Sequence, residues 1–198
     1  MNFSIPVGVS NRHLHLSQED LESLFGKGYS LKVMKDLTQT GQFAAEETLT
    51  LQGPKGSIEK VRILGPVRPE TQIEVSMTDS FKLGIKAPVR ESGQIENTPG
   101  VTLIGPMGSV VLEKGVIIAS RHIHMHTSDA EKFQVSNGQV VAVASHGPRA
   151  IIFRNVVIRV RHDFVLDFHL DTDEANAGGL SNCDLVTVIS EDSSLPKQ

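Results

Sequence analysis

Arg12-His13-Leu14-His15-Leu16 decides the reading of this chain, because it returns as Arg121-His122-Ile123-His124-Met125. Each copy follows an apolar run, Val7-Gly8-Val9-Ser10 before the first and Val116-Ile117-Ile118-Ala119-Ser120 before the second. On an extended strand residues i and i+2 share a face, so each copy presents two imidazoles together while Leu14 or Ile123 packs the other way. Two imidazoles on one strand face are half a metal site. Each copy also runs into a helix start. Ser17-Gln-Glu-Asp20 reads as a capping box before Leu21 and Leu24, and Ser128-Asp-Ala-Glu131 reads the same way before Phe133. The repeated unit is therefore strand, two histidines, capped helix.

Composition limits the function classes. The chain has 198 residues, with 39% hydrophobic and 21% charged content and a formal charge of −4. That is an ordinary globular composition, too acidic for nonspecific nucleic-acid binding and too apolar for disorder. No apolar run reaches the roughly 18 residues of a membrane helix. The single cysteine, Cys183, excludes an internal disulfide and stands without a base at a recognisable spacing. The start, Met1-Asn-Phe-Ser-Ile-Pro, lacks a basic segment followed by a long apolar one, so the cytoplasm is the expected compartment.

Outward from the motifs the pattern is β. Leu31-Lys-Val-Met34, Glu47-Thr-Leu-Thr-Leu51, Val61-Arg-Ile-Leu64, Thr71-Gln-Ile-Glu-Val-Ser76 and the stretch around Leu83-Gly-Ile85 read as short segments at about ten-residue spacing, with few helical windows. Leu51-Gln-Gly-Pro-Lys-Gly-Ser57 and Leu103-Ile-Gly-Pro-Met-Gly-Ser109 share one form and read as hairpin turns. After the second motif come Gln139 to Ala144, Ala150 to Phe153, Val156 to Val160 and Leu185 to Ile189. These segments predict a mainly β protein of two closely packed small β-barrel domains, each with a short capping helix, related by the repeated Arg-His-x-His motif. A site at their interface is the expectation.

Imidazole and carboxylate donors with no thiolate suit zinc or another borderline divalent ion in an open site. Other residues must complete each pair. Alternation in Ile73-Glu74-Val75-Ser76 sends Ile73 and Val75 to a core and makes Glu74 read as a solvent-facing carboxylate. His169 lies in a polar cluster before a Gly-rich turn, where Asp171 and Glu174 could cap a helical turn. For the lone His126, His146 and His162 the ordinary reading is a surface or hydrogen-bonded structural role. Arg12, Lys35, Arg62, Arg68 and Arg121 are the nearby basic residues, each by default a solvated charge. Among them Arg68, in the rigid turn Gly65-Pro-Val-Arg68-Pro69, is the one suited to a bidentate phosphate contact.

The order Val-Ser-Asn-Arg-His-Leu-His-Leu, Gly-Pro-Val-Arg-Pro-Glu-Thr-Gln-Ile-Glu-Val-Ser, Ala-Ser-Arg-His-Ile-His-Met and His-Leu-Asp-Thr-Asp-Glu-Ala-Asn-Ala resembles the PduL-type phosphotransacylases, or phosphate propanoyltransferases, over nearly the whole chain. The resemblance implies transfer of a short acyl group between coenzyme A and inorganic phosphate on two β-barrels with a dinuclear metal site, most often zinc. By position, His13, His15 and Glu74 match the ligands of one metal and His122, His124 and His169 those of the other. Arg68 matches the family's active-site arginine, and Ser10, Lys35, Arg62, Leu64, His169 and Asn176 fall where the family contacts coenzyme A. The resemblance also implies an exchanged first strand, giving residues 12–119 as one barrel, 2–11 plus 120–190 as the other and 191–198 as a frayed tail. Only eleven residues precede the first motif, which speaks for a free cytoplasmic enzyme over one housed in a microcompartment. The expected partners are a coenzyme A thioester and phosphate, with no nucleic acid, no membrane and a homodimer left open.

Three other readings compete. His13-x-His15 with Glu19 imitates the cupin spacing and would make the chain a bicupin-like metal oxygenase or isomerase, although Glu19 falls in a capping box where a cupin has a strand. Metal-dependent thioester hydrolysis and a zinc-stabilised binding module without chemistry complete the set.

Overall fold

A computed structural model describes residues 2–189. The first series of elements is β1 (Asn2–Ser10), β2 (His13–His15), α1 (Gln18–Phe25), β3 (Val33–Asp36), β4 (Phe43–Gln52), β5 (Ser57–Gly65), β6 (Gln72–Glu74), α2 (Met77–Leu83), β7 (Val89–Arg90), β8 (Thr102–Ile104), β9 (Ser109–Val111) and β10 (Val116–Ala119). The second is β11 (His122–Met125), α3 (Thr127–Phe133), β12 (Val140–Ala144), β13 (Ile152–Val160), β14 (Asp167–Asp171), α4 (Thr172–Gly178) and β15 (Leu185–Ile189). The chain divides into two compact units. Asn11 to Ala119 form one, and the residues up to Ser10 join those from Ser120 onward in the other. The expected tail, 191–198, lies outside the described residues. Among the described residues no helix is long and apolar enough to cross a membrane.

In the second unit six strands close a barrel in the order β1-β14-β11-β13-β12-β15. The alternating apolar residues of β1 explain its place. Ile5 and Val7 are buried, with β1 running antiparallel to β15 (Ile5↔Val186) and then parallel to β14 (Val7↔Phe168). Ile123, the middle residue of the second motif, is fully buried in the same core with Phe168, Ile158 and Val188. In the first unit nine strands form a half-barrel sheet ordered β7-β10-β6-β2-β5-β4-β8-β9, with β3 paired to β4. Its core includes Leu14, the middle residue of the first motif, with Ile63, Ile73, Leu49 and Val116. Full burial of Leu14 and Ile123 is worth about 1.5–3 kcal/mol each and pins the histidine pairs to the opposite face of their strands.

The two Gly-Pro turns are hairpins, closing β4 on β5 (Gly53 N–H to Gly56 O, 2.9 Å) and β8 on β9 (Gly105 N–H to Gly108 O, 2.9 Å). They also do something the sequence did not suggest. Lys55 N–H donates to Leu83 O (3.1 Å) and Met107 N–H to Leu24 O (3.0 Å), so each turn satisfies a carbonyl at the C-terminal end of a helix. A side chain at Gly53 would put its Cβ 2.3 Å from Leu83 O, which explains glycine there.

Several elements differ from expectation. Each unit has two helices, and the Leu83-Gly-Ile85 stretch is the end of α2 rather than a strand, since Ser76 and Asp79 form a complete capping box before it. The cap of α3 is His126, whose side chain accepts from Ser128 N–H, so that helix starts two residues earlier than a Ser128 cap would allow. The segments at 150–153 and 156–160 are one strand, β13, kinked where Asn155 takes a positive φ. The polar run at Asp167–Asp171 is a strand because Phe168 and Leu170 fill the core between its polar positions.

Candidate metal centres

In the first unit β2 runs antiparallel to β6, with His13 opposite Glu74 and His15 opposite Gln72. The donor atoms of His13, His15 and Glu74 all lie within 4.8 Å of one another. His13 Nδ1 donates to Asn11 O (2.8 Å) and His15 Nδ1 to Leu64 O (3.1 Å). A carbonyl can only accept, so each neutral ring carries its proton on Nδ1 and keeps the Nε2 lone pair as the donor. Gln72 donates its amide to Glu74 Oε1 (2.7 Å), which turns Oε2 toward His13 Nε2 at 3.5 Å. Two ligands tetrahedrally bound to one zinc at its usual bond lengths stand about 3.4 Å apart. Burial pushes His15 down to about 3, helped by its neighbours His13 and Arg68, so this imidazole is neutral at physiological pH.

The second unit builds the same frame. β11 runs antiparallel to β14, with His122 opposite His169 and His124 opposite Asp167, and the donor atoms of His122, His124 and His169 also lie within 4.8 Å. His122 Nδ1 donates to Ser120 O (2.9 Å), two residues back, as His13 does to Asn11. His124 is buried and pushed down to about 2, first by burial and then by its neighbours His122, His169, Arg159 and Arg161. Its Nδ1 is buried and, among the described residues, has no hydrogen-bond partner. An orphaned buried nitrogen is costly unless something binds it, which favours an occupant in the second cluster, and by donor geometry and chemistry both clusters fit a divalent ion.

The arginine of each motif is not a solvated charge. Arg12 Nε meets Asp79 Oδ2 at 2.8 Å, and Arg121 Nε meets Glu174 Oε1 at 2.5 Å. Asp79 and Glu174 are the third helical residues of the capping boxes on α2 and α4, whose caps Ser76 and Asp171 come two residues after Glu74 and His169. Each ion pair therefore ties the strand with two histidines to the helix that follows the third ligand. Asp171 and Glu174, which the sequence allowed as a cap, do cap α4, but the sequence did not reveal that Asp79 and Glu174 meet the two motif arginines.

Glu74 is half-buried within its cluster. Alternation placed it rightly on the face away from Ile73 and Val75, but that face holds the histidine pair instead of solvent. Arg68 is held by its backbone N–H to Leu16 O (2.8 Å) and by a guanidinium bond to Ser92 Oγ (3.1 Å), and Ser92 also accepts from Gln72 (2.8 Å). Of the coenzyme A candidates, Lys35, Arg62 and Leu64 belong to the first unit. Lys35 and Leu64 flank Ala44 in one row, and Arg62 donates to Ala45 O (2.9 Å) and Glu46 O (2.8 Å). Ser10, His169 and Asn176 belong to the second, where Ser10 pairs with Asp171 and Asn176 is exposed on α4. His146 bonds Thr187 (2.9 Å), and Cys183 is exposed. Glu19 is exposed on α1 and joins neither cluster, so the cupin ligand set does not form.

Comparison with known proteins gives one family. The sequence profile of phosphate propanoyltransferases matches residues 6–181. A phosphate propanoyltransferase of Thermotoga maritima is 60% identical over 93% of this chain and 89% of its own length. That of Rhodopseudomonas palustris is 54% identical over 94% and 82%, and that of Salmonella typhimurium 52% over 90% and 85%.

Proposed function

This chain belongs to the phosphate propanoyltransferase family of phosphate acyltransferases, and from that premise we propose a metal-dependent transfer between a short-chain acyl-CoA, propanoyl-CoA or acetyl-CoA, and inorganic phosphate, giving acyl phosphate and coenzyme A. The observation that carries the metal dependence is the pair of matched trios, His13/His15/Glu74 and His122/His124/His169, each with three donor atoms within 4.8 Å. We take both as ligand sets for one divalent ion each, zinc by donor type, serving a single dinuclear reaction.

When bound, such ions supply Lewis acidity, drawing charge from the thioester carbonyl oxygen and screening that of phosphate. The chain's own part is positioning. Arg68, anchored through Leu16 and Ser92 and close enough for its charge to act on His15, offers a guanidinium to phosphate. Phosphate oxygen then attacks the thioester carbonyl carbon directly, and coenzyme A leaves as thiolate without a covalent acyl-enzyme. Holding both reactants in place supplies the entropic part of the acceleration. Ser10, Lys35, Arg62, Leu64, His169 and Asn176 are the proposed coenzyme A contacts.

The test is release of free thiol from propanoyl-CoA and acetyl-CoA by zinc-loaded protein, with and without phosphate. Phosphate-dependent release with acyl phosphate formed is expected. Release without phosphate would make it a hydrolase, and none from metal-loaded protein would leave a binding module. Arg68→Ala should raise the KM for phosphate about 10- to 100-fold with metal content unchanged.

A further inference from the structure

We propose that Asp167 is the positioning residue and the counter-charge of the His122/His124/His169 trio. Its carboxylate is buried, with 7% of the side chain exposed, and its Oδ2 stands 3.0 Å from His169 Nε2. A carboxylate accepts, so His169 carries its proton on Nε2 and keeps its lone pair on Nδ1, with the ring orientation fixed by the same bond. The strand β14 thus provides one residue to hold an ion and a second, two positions back, to hold the first.

The other unit shows why the second residue is acidic here. There the same two positions on β6 are Gln72 and Glu74, and Gln72 likewise reaches its neighbour, at 2.7 Å. In that pair the ligand is the anion and its orienting partner is neutral. In the pair Asp167 and His169 the ligand is neutral and the orienting partner is the anion. Each strand therefore brings one carboxylate to its cluster, and only the order is exchanged. Without Asp167, three imidazoles and a divalent ion would face the positive charges of Arg159 and Arg161 near His124, while Asp171, the other acid of β14, is engaged as the cap of α4.

Room for the carboxylate is built into β1. Gly8 lies opposite His169, and a Cβ added there would stand 2.6 Å from Asp167 Oδ2 and 2.9 Å from its Cγ and Oδ1. Gly8 does not have a positive φ, so the space for Asp167, not backbone strain, accounts for glycine at this position.

The inference rests on the metal reading above, and zinc titration of the full chain against a chromophoric chelator separates the two. Wild-type protein should bind two zinc ions, and Asp167→Asn should weaken one of them 10- to 100-fold while the other keeps its affinity. Gly8→Ala, which keeps the charge but displaces it, should weaken the same ion. In a His122→Ala background, where that ion is already lost, Asp167→Asn should change nothing further. The unfolding midpoint of the metal-free variants should stay near that of the wild type. Two ions bound at wild-type affinity in both variants would overturn the role of Asp167 while leaving the metal reading intact. So would an affinity loss matched by an equal loss of metal-free stability. Wild-type protein that binds no zinc would overturn both.

Discussion

Opposite the first histidine pair, β6 carries Glu74 with Gln72 beside it; opposite the second, β14 carries His169 with Asp167. Register, the Nδ1 bonds of the leading histidines, the capping boxes that follow and the arginine ion pairs are shared between the two units. What differs is the chemistry of two side chains and the closure of the sheet behind them. The frame is thus set by strand pairing and helix capping, which tolerate different residues at the positions facing the cluster. A duplicated scaffold thus presents two trios of donor atoms in similar geometry with different chemistry, one including a hard carboxylate and the other made of imidazoles alone.

The largest effect tests whether both trios serve one reaction. His13→Ala and His122→Ala should each halve the bound zinc and lower kcat at least 10²-fold, by analogy with loss of a single transition-state contact. If one variant keeps full activity and loses only thermal stability, its trio is structural and the comparison breaks. Metal analysis beside the thiol-release assay decides this.

Acid should act on both units alike. His15 and His124 are held down to about 3 and 2 in the folded protein, while in the unfolded chain they titrate near 6.5. Between those values the unfolded state binds protons that the folded state refuses, so stability of the metal-free protein rises with pH from about 3 and levels off above about 6.5. Urea midpoints from pH 4 to 8 should trace this rise, with a shallower slope in His124→Gln. A flat profile below pH 6.5 would contradict the burial of both rings.

The ion pairs should separate the units. Asp79 is buried and accepts from both Arg12 Nε and Ser76 N–H, so Asp79→Asn should cost about 1–3 kcal/mol. Burial already raises the Glu174 carboxyl above its ordinary value despite Arg121, so Glu174→Gln should cost less. Chemical denaturation of the two variants measures the difference, and equal costs would mean that the two clamps are equivalent.

Helix caps give the smallest effect. Ser17 accepts from Asp20 N–H at 3.1 Å, and Ser17→Ala should cost about 1 kcal/mol. His126 caps α3 through Nδ1, so His126→Ala should cost a similar or smaller amount, whereas a cap at Ser128 would make Ser128→Ala the damaging change. Thermal denaturation of the three variants ranks them.

The doubled Arg-His-x-His motif, the β class, the two Gly-Pro hairpins and the cap at Asp171 were legible in the sequence because each is written in neighbouring residues: a period of two, a turn chemistry, a cap with its partner three positions on. Helix α2 was legible too, in Ser76-x-x-Asp79, but the alternation of Thr71 to Ser76 carries a strand reading up to its cap and Leu83-Gly-Ile85 resumes it. Three things were decided only by tertiary structure. Glu74 faces a histidine pair instead of water because β6 pairs with β2 in one particular register, and alternation names a face without naming what lies across from it. Arg12 and Arg121 are clamps because capping boxes far along the chain come to rest beside them. Asp167 holds His169 because β1 offers a glycine where any side chain would collide with it. Local sequence determines which way a residue points, and only the pairing of distant strands determines what it meets.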